Sequence, residues 1–287
     1  MKIIRTSQEM QETALQLRKE GHVIGLVPTM GYLHEGHMSL IRLAFRKADI
    51  AIVSIFVNPT QFGPKEDLSR YPRNFERDEA LCRAEGADIV FYPAAEDVYL
   101  PGHSVYVVEE SLSRGLCGAS RPGHFRGVAT IVAKLFNITL PQAAVFGEKD
   151  AQQLRVIRRM VRDLNFPVHI IPGPIVREPD GLAMSSRNVY LSPEERRQAL
   201  CLRRALSRAE ELFKAGERAA SALKESMAAI IAAAPLARVD YIELVDDDSL
   251  EPVEIIQRPC LAALAVYVGK TRLIDNVVLS PVSSACS

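Results

Sequence analysis

A chain of 287 residues is long enough to bury one large core and a smaller second one. Apolar residues make up 48% of it and charged residues 24%, ordinary globular proportions that exclude a disordered chain. The balance of 35 basic against 35 acidic residues argues against a dedicated nucleic-acid binder, which carries a basic excess.

The N-terminus turns polar almost at once and has neither an uninterrupted apolar segment nor a small-residue cleavage site, so no secretory signal is expected. Short β-branched runs then alternate with amphipathic patterns. Strands are expected at VIGLV (23–27), DIAIVSIF (49–56), DIVFY (88–92), AAVF (143–146) and VHII (168–171), with helices over 39–47, 74–85, 130–137 and 151–164 between them. Such alternation indicates βαβ units: an α/β fold with a Rossmann-like parallel sheet, helices on both faces, and ligands at the carboxyl ends of the strands. After Ile171 the stretch IPGPIVREPDG marks a hinge, followed by Ala/Leu/Arg/Glu helices from about 193 to 233 and strands at 238–245, 261–268 and 272–279. A smaller C-terminal α+β domain follows, dividing the chain into 1–175 and 176–287. The apolar runs are strand-sized and too short to cross a bilayer, so a cytoplasmic protein with no membrane partner is expected. Cys82, Cys117, Cys201, Cys260 and Cys286 show no CxxC or metal-type spacing and are read as reduced structural thiols.

Five stretches can carry chemistry. In PTMGYLHEGHMSLI (28–41), between a strand and a helix, His34 and His37 share one face of the first helical turn. Gly31 and Gly36 let backbone approach a ligand, and the free N–H groups of the helix start attract phosphate. The same HxxH is also compatible with chance spacing or half of a metal site, although no third ligand stands nearby. In FVNPTQFG (56–63), Asn58 and Gln61 offer amides that read a hydroxy-acid without imposing charge, or else simply form a turn. RPGHFRG (121–127), with His124 and Arg126 beside Cys117, is either a mobile lid or an ordinary loop. VFGEKDAQQL (145–154) again runs from strand to helix, with Lys149 and Asp150 at the strand end and Gln152 and Gln153 on the first turn. Lys149 can meet phosphate as a mobile point charge or decorate a surface turn. In DGLAMSSRNVYLS (180–192), Ser185, Ser186 and Arg187 provide two hydroxyls and a guanidinium, suited to polyphosphate or to capping a helix. The acidic run Asp246 to Asp248 reads as exposed loop.

The order strand, glycine turn, HEGH, helix resembles the HIGH signature of class I adenylyl-transferring enzymes, and the SSR segment looks like the counterpart of their KMSKS loop. Together PTMGYLHEGH, FVNPTQF, DLSRYPRNF, RPGHFRGV, VFGEKDAQQL and VREPDGLAMSSRN resemble the pantothenate synthetase family, closely over about 27–191 and in outline beyond. Two positions depart from the family pattern: Ala151 replaces an aromatic in GEKDxQQL, and Thr60 replaces methionine in VNPxQF.

The resemblance implies ATP-dependent condensation of pantoate with β-alanine through a pantoyl-adenylate. It places ATP on Met30, Gly31, Tyr32, Leu33, His34, Glu35, Gly36 and His37, on Gly147, Glu148, Lys149 and Asp150, on Val176, and on Met184, Ser185, Ser186 and Arg187. His37 inherits the catalytic position, with His34, Lys149, Ser185, Ser186 and Arg187 as further donors. Pantoate falls on Gln61 and Gln153, with Asn58 beside them, and Asp78 is implied as a magnesium contact. The cofactors implied are ATP and Mg2+, and the assembly is a homodimer. Rivals are another nucleotidyltransferase, a truncated aminoacyl-tRNA synthetase, or a non-catalytic nucleotide sensor. Balanced charge and the absence of an anticodon-type extension weigh against tRNA binding, and the intact donor set weighs against a sensor.

Overall fold

The computed structural model describes residues 1–64 and 66–281. Its first part is built from β1 (Lys2–Ile4), α1 (Ser7–Lys19), β2 (Ile24–Thr29), α2 (Glu35–Phe45), β3 (Ile50–Ile55), α3 (Phe75–Ala84), β4 (Ile89–Phe91), α4 (Ala95–Val98), α5 (Leu116–Ser120), α6 (His124–Thr139), β5 (Ala143–Gly147), α7 (Ala151–Asp163) and β6 (His169–Gly173). The six strands form one parallel sheet in the order β1-β4-β3-β2-β5-β6. From β2 the chain runs outward through β3 and β4 on one side, and β5 and β6 lie on the other. The sheet therefore has its topological switch point between β2 and β5, where a crevice opens beyond the strand ends. HEGH leaves β2 and GEKD leaves β5, so the topology sets these two segments side by side.

Burial explains the strands. Ile24, Leu26, Val27, Ala51, Ile52, Val53 and Val90 are all fully buried, as expected where helices cover both faces of a parallel sheet. Several elements differ from the sequence expectation, which included neither α1 nor the short α4 and α5. The edge strand β1 is an addition: KII is too short to show a periodicity, yet it pairs in register with Ile89 to Phe91. RPGHFRG is a loop only over its first three residues: α6 begins at His124, entered through Gly123 in the left-handed region at φ 84°. The polar start of this helix hides its apolar period.

The second part contains α8 (Pro193–Gln198), α9 (Cys201–Lys214), α10 (Ala220–Ala232) and an antiparallel sheet of β7 (Ala237–Asp246), β8 (Cys260–Val268) and β9 (Thr271–Leu279) in that order. The central strand β8 alternates between two cores. Ala262, Leu264 and Val266 join the cluster formed by α9 and α10, whereas Leu261 and Ala263 join the larger cluster of the first part. A polar tie reinforces this contact, Arg155 of α7 pairing with Asp247, while Arg177 in the segment after β6 holds buried Asp275 through two hydrogen bonds of 2.7 and 2.9 Å. Asp247 is thus a contact between the two parts, not free loop. Cys82, Cys117, Cys201 and Cys260 are buried and unpaired, and Cys286 lies outside the described residues. Among the described residues no helix is long and apolar enough to cross a membrane.

Candidate active site

His34 is the residue that precedes the first turn of α2, in extended backbone, and His37 sits one turn on. Their rings lie 4.1 Å apart, and the His37 Nδ1 accepts the His34 backbone N–H at 3.2 Å. A ring whose Nδ1 accepts carries its proton on Nε2, so His37 presents an N–H donor while neutral. Burial lowers His34 to about 4, with the Lys149 charge adding to the effect. Burial also drives His37 well below its ordinary value, helped by His34 and Lys149. Both imidazoles are therefore neutral near pH 7. The Nδ1 of His34 is buried against the start of α2, beside Gly36. Gly36 leaves room for the His34 ring, since a Cβ there would stand 2.9 Å from it.

The turn before the helix is held by Asp78 of α3. Its Oδ2 accepts from the Tyr32 N–H and its Oδ1 from the Leu33 N–H, both at 2.7 Å. These two donors restrain a backbone that enters the left-handed region at Gly31 (φ 80°) and at Tyr32 (φ 50°). Burial raises the Asp78 carboxyl, and the two N–H groups act against that rise. Asp78 is 1% exposed and does not line the cleft of His34 and His37. Both Asp78 oxygens accept backbone N–H groups and brace the turn, a use that the expected magnesium contact did not include. Among the described residues no group of three or more His, Cys, Asp or Glu side chains is arranged to hold a metal.

Across the switch point, Lys149 and Asp150 follow β5 and face the same cleft. Asn276 of β9 donates to the carbonyls of Glu148 and Lys149 at 3.0 and 2.9 Å, so the second part of the chain fixes this turn. The SSR segment closes the far wall. The Met184 N–H bonds to the Val176 carbonyl at 3.0 Å, Ser185 Oγ accepts the Arg187 N–H at 3.3 Å, and Ser186 Oγ donates to the Tyr32 carbonyl at 3.1 Å. The Arg187 side chain is held by Asp67 through Nε and Nη2, each at 2.9 Å, with Tyr71 beneath it.

The amide residues divide by role. Asn58 is 1% exposed and spends its side chain inside the protein: Nδ2 donates to Gln61 Oε1 at 3.0 Å and to the Gly127 carbonyl at 3.1 Å, while Oδ1 accepts from Tyr99 and Thr60. Asn58 orients Gln61. Thr60, one of the two departures from the family pattern, uses its hydroxyl in that same network. Gln61 Nε2 approaches the Met30 sulfur at 3.1 Å, and both Gln61 and Gln153 line the cleft. Gln152 is structural: its oxygen accepts the Cys117 N–H, and its amide nitrogen donates to the carbonyls of Leu112 and Gly115.

The cleft is open to solvent and has a cavity volume of about 210 Å³. Of the expected nucleotide residues, Met30, His34, Gly36, His37, Gly147, Lys149, Asp150, Val176, Met184, Ser185, Ser186 and Arg187 line it. Gly31, Tyr32, Leu33, Glu35 and Glu148 do not: Leu33 is fully buried in the core and Glu35 turns outward to Arg42. Val128, Ile131, Val132 and Leu135 of α6 give the cleft one apolar wall.

The family model for pantoate-beta-alanine ligase matches residues 2–278. The chain belongs to that family. Pantothenate synthetase of Thermotoga petrophila is 58% identical over 97% of this chain and 100% of its own length, and that of Moorella thermoacetica is 57% identical over 97% and 99%. Among solved structures, pantothenate synthetase from Thermus thermophilus superposes with a TM-score of 0.93 at 44% identity, covering 98% of this chain and all of that one. Pantoate-beta-alanine ligase from Francisella tularensis, solved with Beta-gamma ATP and Beta-alanine, has a TM-score of 0.78 at 33% identity over 97% of each chain. As a ligase of this family, the chain has the parallel sheet and small antiparallel sheet of these relatives. Sequence reasoning missed Glu66, Asp67, Arg121 and Asn276, which hold the site from behind. DLSRYPRNF stands out as a motif, but nothing in it reveals which partner Asp67 meets.

Proposed function

We propose that this chain condenses pantoate with β-alanine at the expense of ATP, giving pantothenate, AMP and pyrophosphate through an enzyme-bound pantoyl-adenylate. The observation that carries this reading is one cleft with two unlike ends. Gln61 and Gln153, beside the apolar wall of α6, suit a branched hydroxy-acid, whereas two neutral imidazoles, Lys149 and Arg187 suit a polyphosphate. The Francisella relative, solved with Beta-gamma ATP and Beta-alanine, supports it.

In the first step a pantoate carboxylate oxygen attacks the α-phosphorus, and the bond to the bridging oxygen of pyrophosphate breaks. Negative charge grows on the phosphate oxygens. The His37 Nε2–H, His34 and Lys149 stand as fixed donors toward it, so positioning and preorganised electrostatics supply the acceleration. Arg187, with Ser185 and Ser186 shaping its turn, faces the departing pyrophosphate. In the second step the neutral β-alanine amine attacks the acyl carbon, AMP leaves, and the surplus amine proton passes to solvent. No covalent enzyme intermediate is needed.

Magnesium fits this cleft only as a companion of ATP. Asp150 is the one carboxylate lining it among the described residues, so the ion would rest mainly on phosphate oxygens and water, with Asp150 as its protein contact. It would supply neutralisation of phosphate charge. A homodimer in the cytoplasm, where ATP is available, completes the proposal. Leu100, Val105 and Val108 are exposed apolar side chains that a second copy would cover.

The test is exchange of labelled pyrophosphate into ATP without β-alanine. Exchange that requires pantoate, followed by release of pantothenate when β-alanine is added, is the expected result. Exchange that ignores pantoate, or none from folded protein, refutes the reading.

A further inference from the structure

We propose that the consecutive acids Glu66 and Asp67 are positioning residues that set the two halves of the cleft. Glu66 acts through Arg121 and His124 on Gln61, and Asp67 acts through Arg187 on the phosphate end. The inference rests on the substrate assignment above and adds what holds it in register.

Glu66 takes Arg121 side-on, accepting from Nε at 2.6 Å and from Nη2 at 2.8 Å. Arg121 passes this restraint on: its Nη1 lies 3.0 Å from His124 Nε2, and His124 Nδ1 lies 2.9 Å from the Gln61 carbonyl oxygen. A carbonyl can only accept, so Nδ1 carries the proton and Nε2 accepts from arginine, which fixes the tautomer. Burial lowers His124 to about 4, with the Arg121 charge adding to it, so the ring stays neutral and the relay holds one polarity. Gln61 ends a single 3-10 turn (Pro59–Gln61), whose own backbone bonds of 3.4 and 3.3 Å are long. Its carbonyl needs the outside donors.

Asp67 grips Arg187 in the same side-on manner, through Nε and Nη2 at 2.9 Å each. Nη1 receives no protein acceptor among the described residues, and Arg187 lines the cleft. The fork is therefore held by its back edge while a free edge remains for an anion. Neither Glu66 nor Asp67 lines the cleft; both border an outer cavity with Arg70, Arg121, Arg187 and Lys270. Burial works against both carboxylates, and in both the arginine partner together with nearby backbone N–H groups and charges outweighs it. Without the acids, two largely buried guanidinium groups would lack counter-charges, and the outer cavity offers them a way to solvent.

The experiment combines Glu66→Gln and Asp67→Asn with the pantoate-dependent exchange assay, varying one substrate while the other saturates. Glu66→Gln is expected to raise the pantoate KM by on the order of tenfold and leave the ATP KM within about twofold, the effect of one lost charge-assisted contact. Asp67→Asn is expected to do the reverse. Its effect should vanish when Arg187 is already Ala, because Asp67 has then lost the residue through which it acts. Where a variant loses the fold by circular dichroism, Glu66→Asp or Asp67→Glu takes its place and the same split is expected. Equal impairment toward both substrates, unchanged constants, or an Asp67 effect that persists beside Arg187→Ala overturns the inference while the wild type remains active. A wild type without pantoate-dependent exchange brings down the functional reading first, and this inference with it.

Discussion

Asp78→Asn separates bracing from metal binding. The carboxylate accepts two backbone N–H groups at 2.7 Å in a buried setting. The amide keeps one oxygen for one of them and sets its NH2 against the other, leaving a buried donor facing a donor. A hydrogen bond to a charged group contributes about 1.5–3 kcal/mol, and an unsatisfied buried donor costs about 1–3 kcal/mol. Loss of stability of about 3 kcal/mol is therefore expected in urea unfolding, with Asp78→Ala falling further as both donors are abandoned. The strained turn at Gly31 and Tyr32 relaxes, so the ATP KM should rise because His34 and the helix start lose their setting. The magnesium concentration giving half-maximal activity should stay that of the wild type. A variant of unchanged stability with a shifted magnesium requirement would refute the bracing argument and restore Asp78 as a metal contact.

His37→Ala removes a fixed donor and is expected to lower kcat by roughly two to four powers of ten in a folded protein, read by steady-state assay. Arg187→Ala should slow adenylate formation more than the later amine transfer, since pyrophosphate has left by then; single turnovers with delayed β-alanine separate the steps. Gly127→Ala would place a Cβ 2.4 Å from the Thr60 carbonyl oxygen, pushing the turn that carries Gln61. A loss of about 1–3 kcal/mol in urea unfolding and weaker use of pantoate than of ATP are expected. Stability should also fall in mild acid. His34 and His124 sit at about 4 in the folded protein against 6.5 unperturbed, so between these values the unfolded chain binds more protons. Each then costs up to about 1.4 kcal/mol per pH unit as pH falls from 6.5 toward 4, a window above that of Glu66 and Asp67, whose carboxyls are lowered. Equal urea midpoints at pH 7.5 and 5 would contradict this.

Much of the fold is legible because its strands are buried on both faces and its helices on one, and burial writes a period into the sequence. The strands that flank the switch point, β2 and β5, lie within a few residues of where their apolar runs put them. Legibility fails where period and burial part company. Lys2–Ile4 is too short to show alternation, and α6 opens with His124, Phe125, Arg126 and Gly127, a polar and flexible turn that reads as loop until Gly127 is found against the backbone of Thr60 and Gln61.

The site divides along the same line. Residues that line the cleft lie at strand ends or helix starts, where the sequence marks them with glycine, histidine and lysine at fixed intervals; His34, His37 and Lys149 stand out in this way. Residues that act on other residues carry no such mark. Asp78 is a magnesium contact in one dimension only through the family resemblance. In three dimensions its two oxygens face two N–H groups 46 and 45 positions away in the chain, and the charge serves the backbone. Glu66 and Asp67 are adjacent in sequence yet hold arginines from two different parts of the molecule, Arg121 before α6 and Arg187 beyond the first sheet. Neighbouring side chains on an irregular loop can point apart, and only the fold decides what each one reaches. The stiffness of such a cleft therefore depends on pairings that no local pattern encodes, and substitutions behind the cleft should change substrate constants without altering any group that touches substrate.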